Sequence, residues 1–228
     1  MTTHVLVGTS PTDAARREQL QVVSHQVGAE LAFLQMASPT LGSVLDTLAD
    51  AATPRVVLVG VSGGRIGPGV SWLRRIAATW WRERGTGAPV VATAPAFMHD
   101  VSEWRSLVEQ ASPITHGGAG LTSTAWQDVP GHRRQVFVCR GPRCTARGGE
   151  DTSNALILAM MRADLGDDDV LVTQTGCQFP CNHAPVVSVQ PDDVWYGAVR
   201  PGDVEAIVAD HLVGGQPLTR LRLPRDVR

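Results

Sequence analysis

The chain carries four cysteines, Cys139, Cys144, Cys177 and Cys181, all in its second part, while residues 1–138 contain none. This asymmetry constrains the fold more than any other feature. The pairs read C-x4-C, then a 32-residue insert, then C-x3-C, so secondary structure has to bring them together if they act as one site. Two disulfides would use an even count, but a chain opening MTTHVLVG has no basic, apolar leader and is expected in the reducing cytoplasm, where structural disulfides are rare. A zinc site tolerates C-x4-C spacing. Four soft thiolates in two close pairs equally suit a 2Fe-2S cluster, in which each iron takes two cysteine sulfurs. Spacing alone leaves these chemistries open.

Composition removes other classes. The 228 residues, 43% hydrophobic and 18% charged, suffice for a packed core and for two small domains. Every basic residue is arginine, which excludes Schiff-base chemistry and the lysine of a phosphate-binding P-loop. The Gly63-Gly64 to Gly69 loop lacks that lysine and reads as an ordinary glycine turn after a strand. A formal charge of -2 argues against nucleic acid or anionic lipid as partner. No apolar run reaches the roughly 20 residues that a membrane span needs.

Apolar runs at 4–8, 30–35, 55–61 and 89–95 read as buried strands. Helices are expected between them. Ser38-Pro39 offers an N-cap and a first-turn proline to a helix whose Leu41, Val44, Leu45 and Leu48 share one face. A second helix at 71–83 carries Leu73, Ile76, Ala77 and Trp80 inward, and a third spans 100–110. This alternation predicts an α/β domain over 1–111 with a parallel sheet covered on both faces. Residues 112–132, rich in Gly, Ser, Thr and Pro, read as a linker to a second domain at 133–218 with a tail at 219–228.

In the second domain, a strand ending at Cys139 precedes an arginine-rich loop and a helix over 152–165 that presents Leu156, Ala159, Met160 and Ala163, with Gly166 as its stop. The strand 169–175 delivers Cys177 and Cys181 on the next loop. A hairpin turning at Pro191-Asp192-Asp193 follows, then a helix from about Pro201 to Gly214 that buries Val204, Ile207, Val208 and Leu212. If the two cysteine-bearing strands are adjacent and parallel, their carboxyl ends gather four sulfurs.

These residues carry a resemblance. Cys139-x4-Cys144, Cys177-Gln-Phe-Pro-Cys181-Asn-His-Ala-Pro185, Trp195-Tyr196-Gly197 and the helix ending Leu212-Val-Gly-Gly215 resemble the thioredoxin-like 2Fe-2S ferredoxins, over about residues 135–218. That family includes free ferredoxins and the small 2Fe-2S subunit of NADH:quinone oxidoreductase. The resemblance implies a thioredoxin-like fold, a 2Fe-2S cluster on Cys139, Cys144, Cys177 and Cys181, and a one-electron carrier with a redox partner protein. The first domain, with Val7-Gly8, the 32–51 stretch and Arg55–Arg65, resembles the small class II chelatases that insert metal into tetrapyrroles. Their two metal-handling histidines are replaced by Thr9-Ser10 and Arg65 at the matching places. Threonine is a poor ligand and arginine a fixed cation, so metal insertion is not expected there.

The expectation is therefore an electron-transfer protein with a degenerate chelatase-like domain that docks a partner or a tetrapyrrole, Arg65 gripping a carboxylate. A divergent sirohydrochlorin chelatase carrying a cluster is the rival reading. Arg140, Arg143 and Arg147 surround the first cysteine pair and are expected to attract an acidic partner. His183 is expected near the cluster or facing solvent, and His116 as an unengaged linker residue. Trp72 and Trp81 either mark an interface, such as that of a homodimer, or pack against loops.

Overall fold

The computed structural model describes residues 2–63 and 69–225. The chain forms two compact units, residues 1–127 and 128–228.

In the first unit, β1 (Thr2–Gly8), β2 (Glu30–Phe33), β3 (Arg55–Val61) and β4 (Val90–Thr93) are parallel, and a two-residue β5 (Ser112–Pro113) joins β4 antiparallel, giving the order β2-β1-β3-β4-β5. The pleat divides the runs. Val5, Val7, Val56 and Leu58 face one layer, where they meet α3 (Leu41–Asp50) and α4 (Val70–Arg84) through Leu41, Leu45, Leu73 and Ala77. Leu6, Val57, Val59 and Val61 face the other layer, closed by α2 (Arg17–Val27), which follows the short α1 (Pro11–Ala15), and by α5 (Trp104–Glu109). Continuous apolar strands arise because both faces are covered.

Local chemistry moves two expected boundaries. The α3 N-cap is Thr40, whose hydroxyl accepts from the Ser43 N–H at 3.2 Å, while the Pro39 carbonyl is engaged outside the helix by the Phe33 N–H at 2.9 Å. The helix of the second unit stops at Ala163, before Asp164 at φ 55°, rather than at Gly166. Segment 112–127 packs within the first unit. Ile114 is core, Arg74 binds the Pro113 carbonyl at 2.8 Å, and Trp126 stacks on Trp72 at 4.9 Å. Trp81 donates to the Pro89 carbonyl at 3.1 Å and lies 4.9 Å from the His116 ring, whereas Trp72 and Trp126 stay partly exposed.

The second unit is built on β6 (Arg134–Cys139), β7 (Val170–Thr175), β8 (Val187–Gln190) and β9 (Val194–Tyr196), ordered β7-β6-β8-β9, with β6 and β7 parallel and the other neighbours antiparallel. Val136, Val138, Val187 and Val189 pack against α7 (Gly149–Arg162) and a C-terminal helix that begins as α8 (Val204–Ala206) and widens to π geometry over Ile207–Val213. After that helix the chain returns over the sheet edge, where Tyr196 bridges Arg222 and the Leu223 N–H reaches the Trp195 carbonyl at 2.7 Å. Among the described residues no helix is long and apolar enough to cross a membrane.

Candidate metal centre

The parallel register between β6 and β7 sets Cys139 opposite Thr175, so both strands end at the same level and both cysteine loops leave from one edge. The Arg140 N–H donates to the Thr175 carbonyl at 2.9 Å and the Cys139 N–H to the Val186 carbonyl at 3.1 Å. Cys144 follows on the short α6 (Pro142–Ala146), turned inward. Cys139 and Cys144 are buried against Ala184 and Val186, with Trp195 packed beside them, whereas Cys181 is half-buried and Cys177 faces solvent.

The loops interlock closely. Cys177 and Cys181 have their Sγ atoms 3.3 Å apart, far beyond the ~2.05 Å of a disulfide. All four thiols are free. The Gln178 N–H donates to Cys139 Sγ at 3.4 Å, while the Gln178 side chain is fixed by Thr175 at 2.8 Å and by Ser188 at 2.9 Å. Gly141 passes so near Cys177 that a Cβ there would lie 2.9 Å from its Cα. Gly149 has a comparable constraint, since an added Cβ would meet the Cys144 carbonyl oxygen at 2.8 Å and the Cys139 oxygen at 3.3 Å. Both obstacles are backbone, which cannot swing aside. Gly149→Ala is therefore expected to push α7 off the buried cysteine pair and to cost the second unit about 1–3 kcal/mol, read from its denaturation midpoint and iron content. An unchanged midpoint would show that α7 slides without resistance.

The thiols perturb one another in opposite directions. Burial, then the hydrogen bond with Cys139, pushes the Cys144 thiol up to about 11. The Phe179 backbone N–H, then the Cys181 thiol, hold Cys177 below the ordinary thiol range, and Cys181 is raised first by its hydrogen bond with Cys177. One thiolate is thus favoured at the exposed edge and further ionisation is opposed. A multivalent cation reverses that balance, because a coordinating thiol is deprotonated outright. Two buried N–H donors in this unit, Trp195 Nε1 and Arg140 Nε, have no acceptor among the described residues. The donor set and its electrostatics fit a thiolate-bound metal cluster.

Other expected residues are placed as follows. Arg140 is turned inward, 8% exposed, between Glu150 at 3.6 Å and Gln174 at 3.0 Å, so it is not part of a solvated basic face. Arg143 and Arg147 are exposed. His183 is exposed on the cysteine loop, where its carbonyl accepts from the Ala198 N–H at 2.6 Å. In the first unit Thr9 is buried and its hydroxyl donates to the Val61 carbonyl at 2.8 Å. Ser10 N–H and Oγ–H both reach the buried Asp13 carboxylate, which also accepts from the Thr9 and Gly63 N–H groups. Thr9 and Ser10 are thereby tied into a structural turn. Gly64 and Arg65 lie outside the described residues. Sequence reading missed Phe179, exposed beside Cys177, and the buried His211 of the C-terminal helix.

No protein-family model matches the chain. It is 38% identical over 96 residues to the 2Fe-2S ferredoxin of Aquifex aeolicus (strain VF5), an alignment spanning 39% of this chain and 86% of that protein. It is 31% identical over 99 residues to the 2Fe-2S ferredoxin of Clostridium pasteurianum, 40% of this chain and 96% of the relative. Among solved structures, the thioredoxin-like [2Fe-2S] ferredoxin from Aquifex aeolicus shares 38% identity over 40% of this chain and 97% of its own, with a TM-score of 0.38. A protein described under cobalamin (vitamin B12) biosynthesis, CbiX from Marinobacter aquaeolei VT8, covers 48% of this chain and 92% of its own at 14% identity and a TM-score of 0.33. The 96 aligned residues match the size of the unit that holds all four cysteines, and by that similarity the chain belongs to the thioredoxin-like 2Fe-2S ferredoxins.

Proposed function

We propose that this chain is a one-electron carrier in which Cys139, Cys144, Cys177 and Cys181 hold a 2Fe-2S cluster. The observation that carries the reading is the meeting of four free thiols at one edge of the second sheet, two buried and two toward solvent. When bound, such a cluster supplies reversible one-electron exchange. The protein's own contribution is electrostatic and steric. Ala184, Val186 and Trp195 exclude water from the inner sulfurs, Gln178 directs its N–H at Cys139 Sγ, and Cys177 and Cys181 leave a short path to the surface. No acid–base group is called for. We place the chain in the cytoplasm, a reducing compartment that keeps cysteines available as thiolate ligands.

The first unit is read as a docking domain for a partner or a tetrapyrrole. A cavity of about 300 Å³ beside the carboxyl end of its sheet, lined by Thr9, Leu34, Gln35, Trp72 and Ile76, supports that role. Metal insertion is disfavoured, since Thr9 and Ser10 use their hydroxyls within the fold.

The test is anaerobic purification of the full chain with iron, zinc and sulfide analysis, visible absorption and electron paramagnetic resonance after dithionite reduction. About two irons per chain, colour and a signal on reduction are expected. Zinc without colour would make the cysteines structural and overturn the reading.

A further inference from the structure

The cysteine loop holds an aromatic side chain whose exposure burial does not explain. Phe179 lies two residues beyond Cys177, with its backbone in the left-handed region at φ 53° and the residue 70% exposed. That conformation is costly for a bulky residue, and an exposed ring forgoes the burial that aromatic side chains normally contribute. Phe179, Pro180, Trp195, Leu223 and Pro224 line a shallow groove of about 240 Å³ that is mainly apolar, with Arg225 at its rim. Asp193, in the turn between β8 and β9, is ion-paired with Arg225.

A second side of the same edge is cationic. Arg143 and Arg147 are one turn apart on α6 and its C-cap, both exposed, and among the described residues neither has a carboxylate partner. Arg143 Nη1 instead reaches the neutral Asn182 Oδ1 at 2.6 Å, which anchors it to the loop carrying Cys177 and Cys181. Like charges one turn apart oppose helix stability. The solvent-facing sulfurs are thus bordered by an apolar ring on one side and by unpaired cations on the other.

We infer that this face docks an electron-transfer protein whose redox centre lies beneath an apolar hollow rimmed by carboxylates, with Phe179 entering the hollow and Arg143 and Arg147 meeting the rim. The inference rests on the one-electron reading of the cysteine site. Unpaired arginines steer the encounter of an acidic partner, and a central aromatic anchor lengthens its residence. A small diffusing mediator would use neither. In the exchange one electron leaves the reduced protein and one metal ion of the partner is reduced by one, with no proton or atom transferred.

The test uses the full-length holoprotein, reduced anaerobically and freed of dithionite, mixed by stopped flow with oxidised plastocyanin, a copper protein with acidic and apolar patches near its metal. Cytochrome c, which is basic, serves as the charge-reversed probe, and ferrocenium-methanol as a small oxidant. Electron transfer to plastocyanin is expected to slow about tenfold or more as salt rises from about 0.01 to 0.3 M. The double variant Arg143→Glu, Arg147→Glu is expected to lose about tenfold of the low-salt rate together with its salt dependence. Phe179→Gly, which the left-handed backbone accepts, is expected to lose about fivefold to tenfold with the salt dependence intact. Visible absorption should stay at wild-type values in all variants and the ferrocenium rate in Phe179→Gly, while for the double arginine variant the plastocyanin rate is read relative to the ferrocenium rate at each salt concentration, which corrects for the change in driving force. Wild-type rates to plastocyanin in both variants, or a faster low-salt reaction with cytochrome c, would overturn the docking face. Absence of iron and colour in the wild type would instead remove the carrier reading beneath it.

Discussion

Cys144→Ala is expected to purify colourless, with iron reduced from about two per chain to near none, and Cys139→Ala is expected to behave alike. Both positions are buried, and their walls, Ala184 and Val186, carry no side-chain donor that could replace a lost thiolate. Water reaches them poorly, so an iron deprived of one sulfur there has no substitute ligand. The outer pair differs. Cys177→Ser and Cys181→Ser leave an oxygen in a solvent-facing loop, a harder ligand than sulfur but still a ligand. These two variants should retain part of the iron under anaerobic conditions and lose it faster in air. Iron and acid-labile sulfide per chain, with visible absorption, measure the difference. Wild-type iron in all four variants would remove the ligand assignment, and loss confined to the outer pair would reverse the burial argument.

The sequence reveals the sheets and the cysteine edge because their signals are local. Strands such as Arg55–Val61 are apolar throughout, and a parallel pair of strands followed by cysteines can place its loops only at one end. Which thiols are buried was not legible. That depends on α6 turning Cys144 under Val186, a tertiary contact with no periodicity of its own. Residues 112–132 read as a linker for the same reason, since the anchors of their first part, Ile114 in the core and Trp126 on Trp72, are isolated residues in a stretch of turn formers. Arg140 looks like any loop arginine until Glu150 and Gln174 hold it inward. Phe179 sits within the quoted cysteine motif, yet motif spacing says nothing about a left-handed backbone or an exposed ring.

Asp192→Ala is expected to destabilise the second unit by about 3 kcal/mol, lowering its Tm by about 15 °C. Asp192 lies in the hairpin turn between β8 and β9, yet its Oδ2 accepts from Arg134 Nε at 2.5 Å, from the opening of β6, and from His211 Nε2 at 2.8 Å, on the C-terminal helix. His211 is fully buried, and its Nδ1 faces the Tyr196 hydroxyl at 2.8 Å, which itself accepts from the Leu218 N–H at 3.1 Å. Donors and acceptors match in one arrangement. Tyr196 donates to Nδ1, and the neutral imidazole donates from Nε2 to the carboxylate. Removing the carboxylate leaves a buried N–H and a guanidinium without their acceptor, which is why the loss exceeds that of an exposed ion pair.

The network also sets the sign of the pH response. Burial holds His211 below its ordinary value despite the pull of Asp192, and Asp192 stays below the usual carboxylate value because its hydrogen bonds with Arg134 and His211 outweigh a burial effect that raises it. Native protein therefore binds fewer protons than unfolded protein in acid. Stability is full above about pH 6.5, declines as pH falls below that value toward the lowered pKa of His211, and declines again below about pH 3.9 through Asp192. Urea denaturation of the holoprotein near pH 7.5 and near pH 5.5 reads the first step. Asp192→Ala should steepen that step, because the cation formed on His211 then has no carboxylate beside it, and should reduce the second to what other lowered carboxylates such as Asp203 contribute. A midpoint that ignores both the substitution and the pH would mean that His211 reaches water in the native state and that the three elements close on one another through their apolar contacts alone.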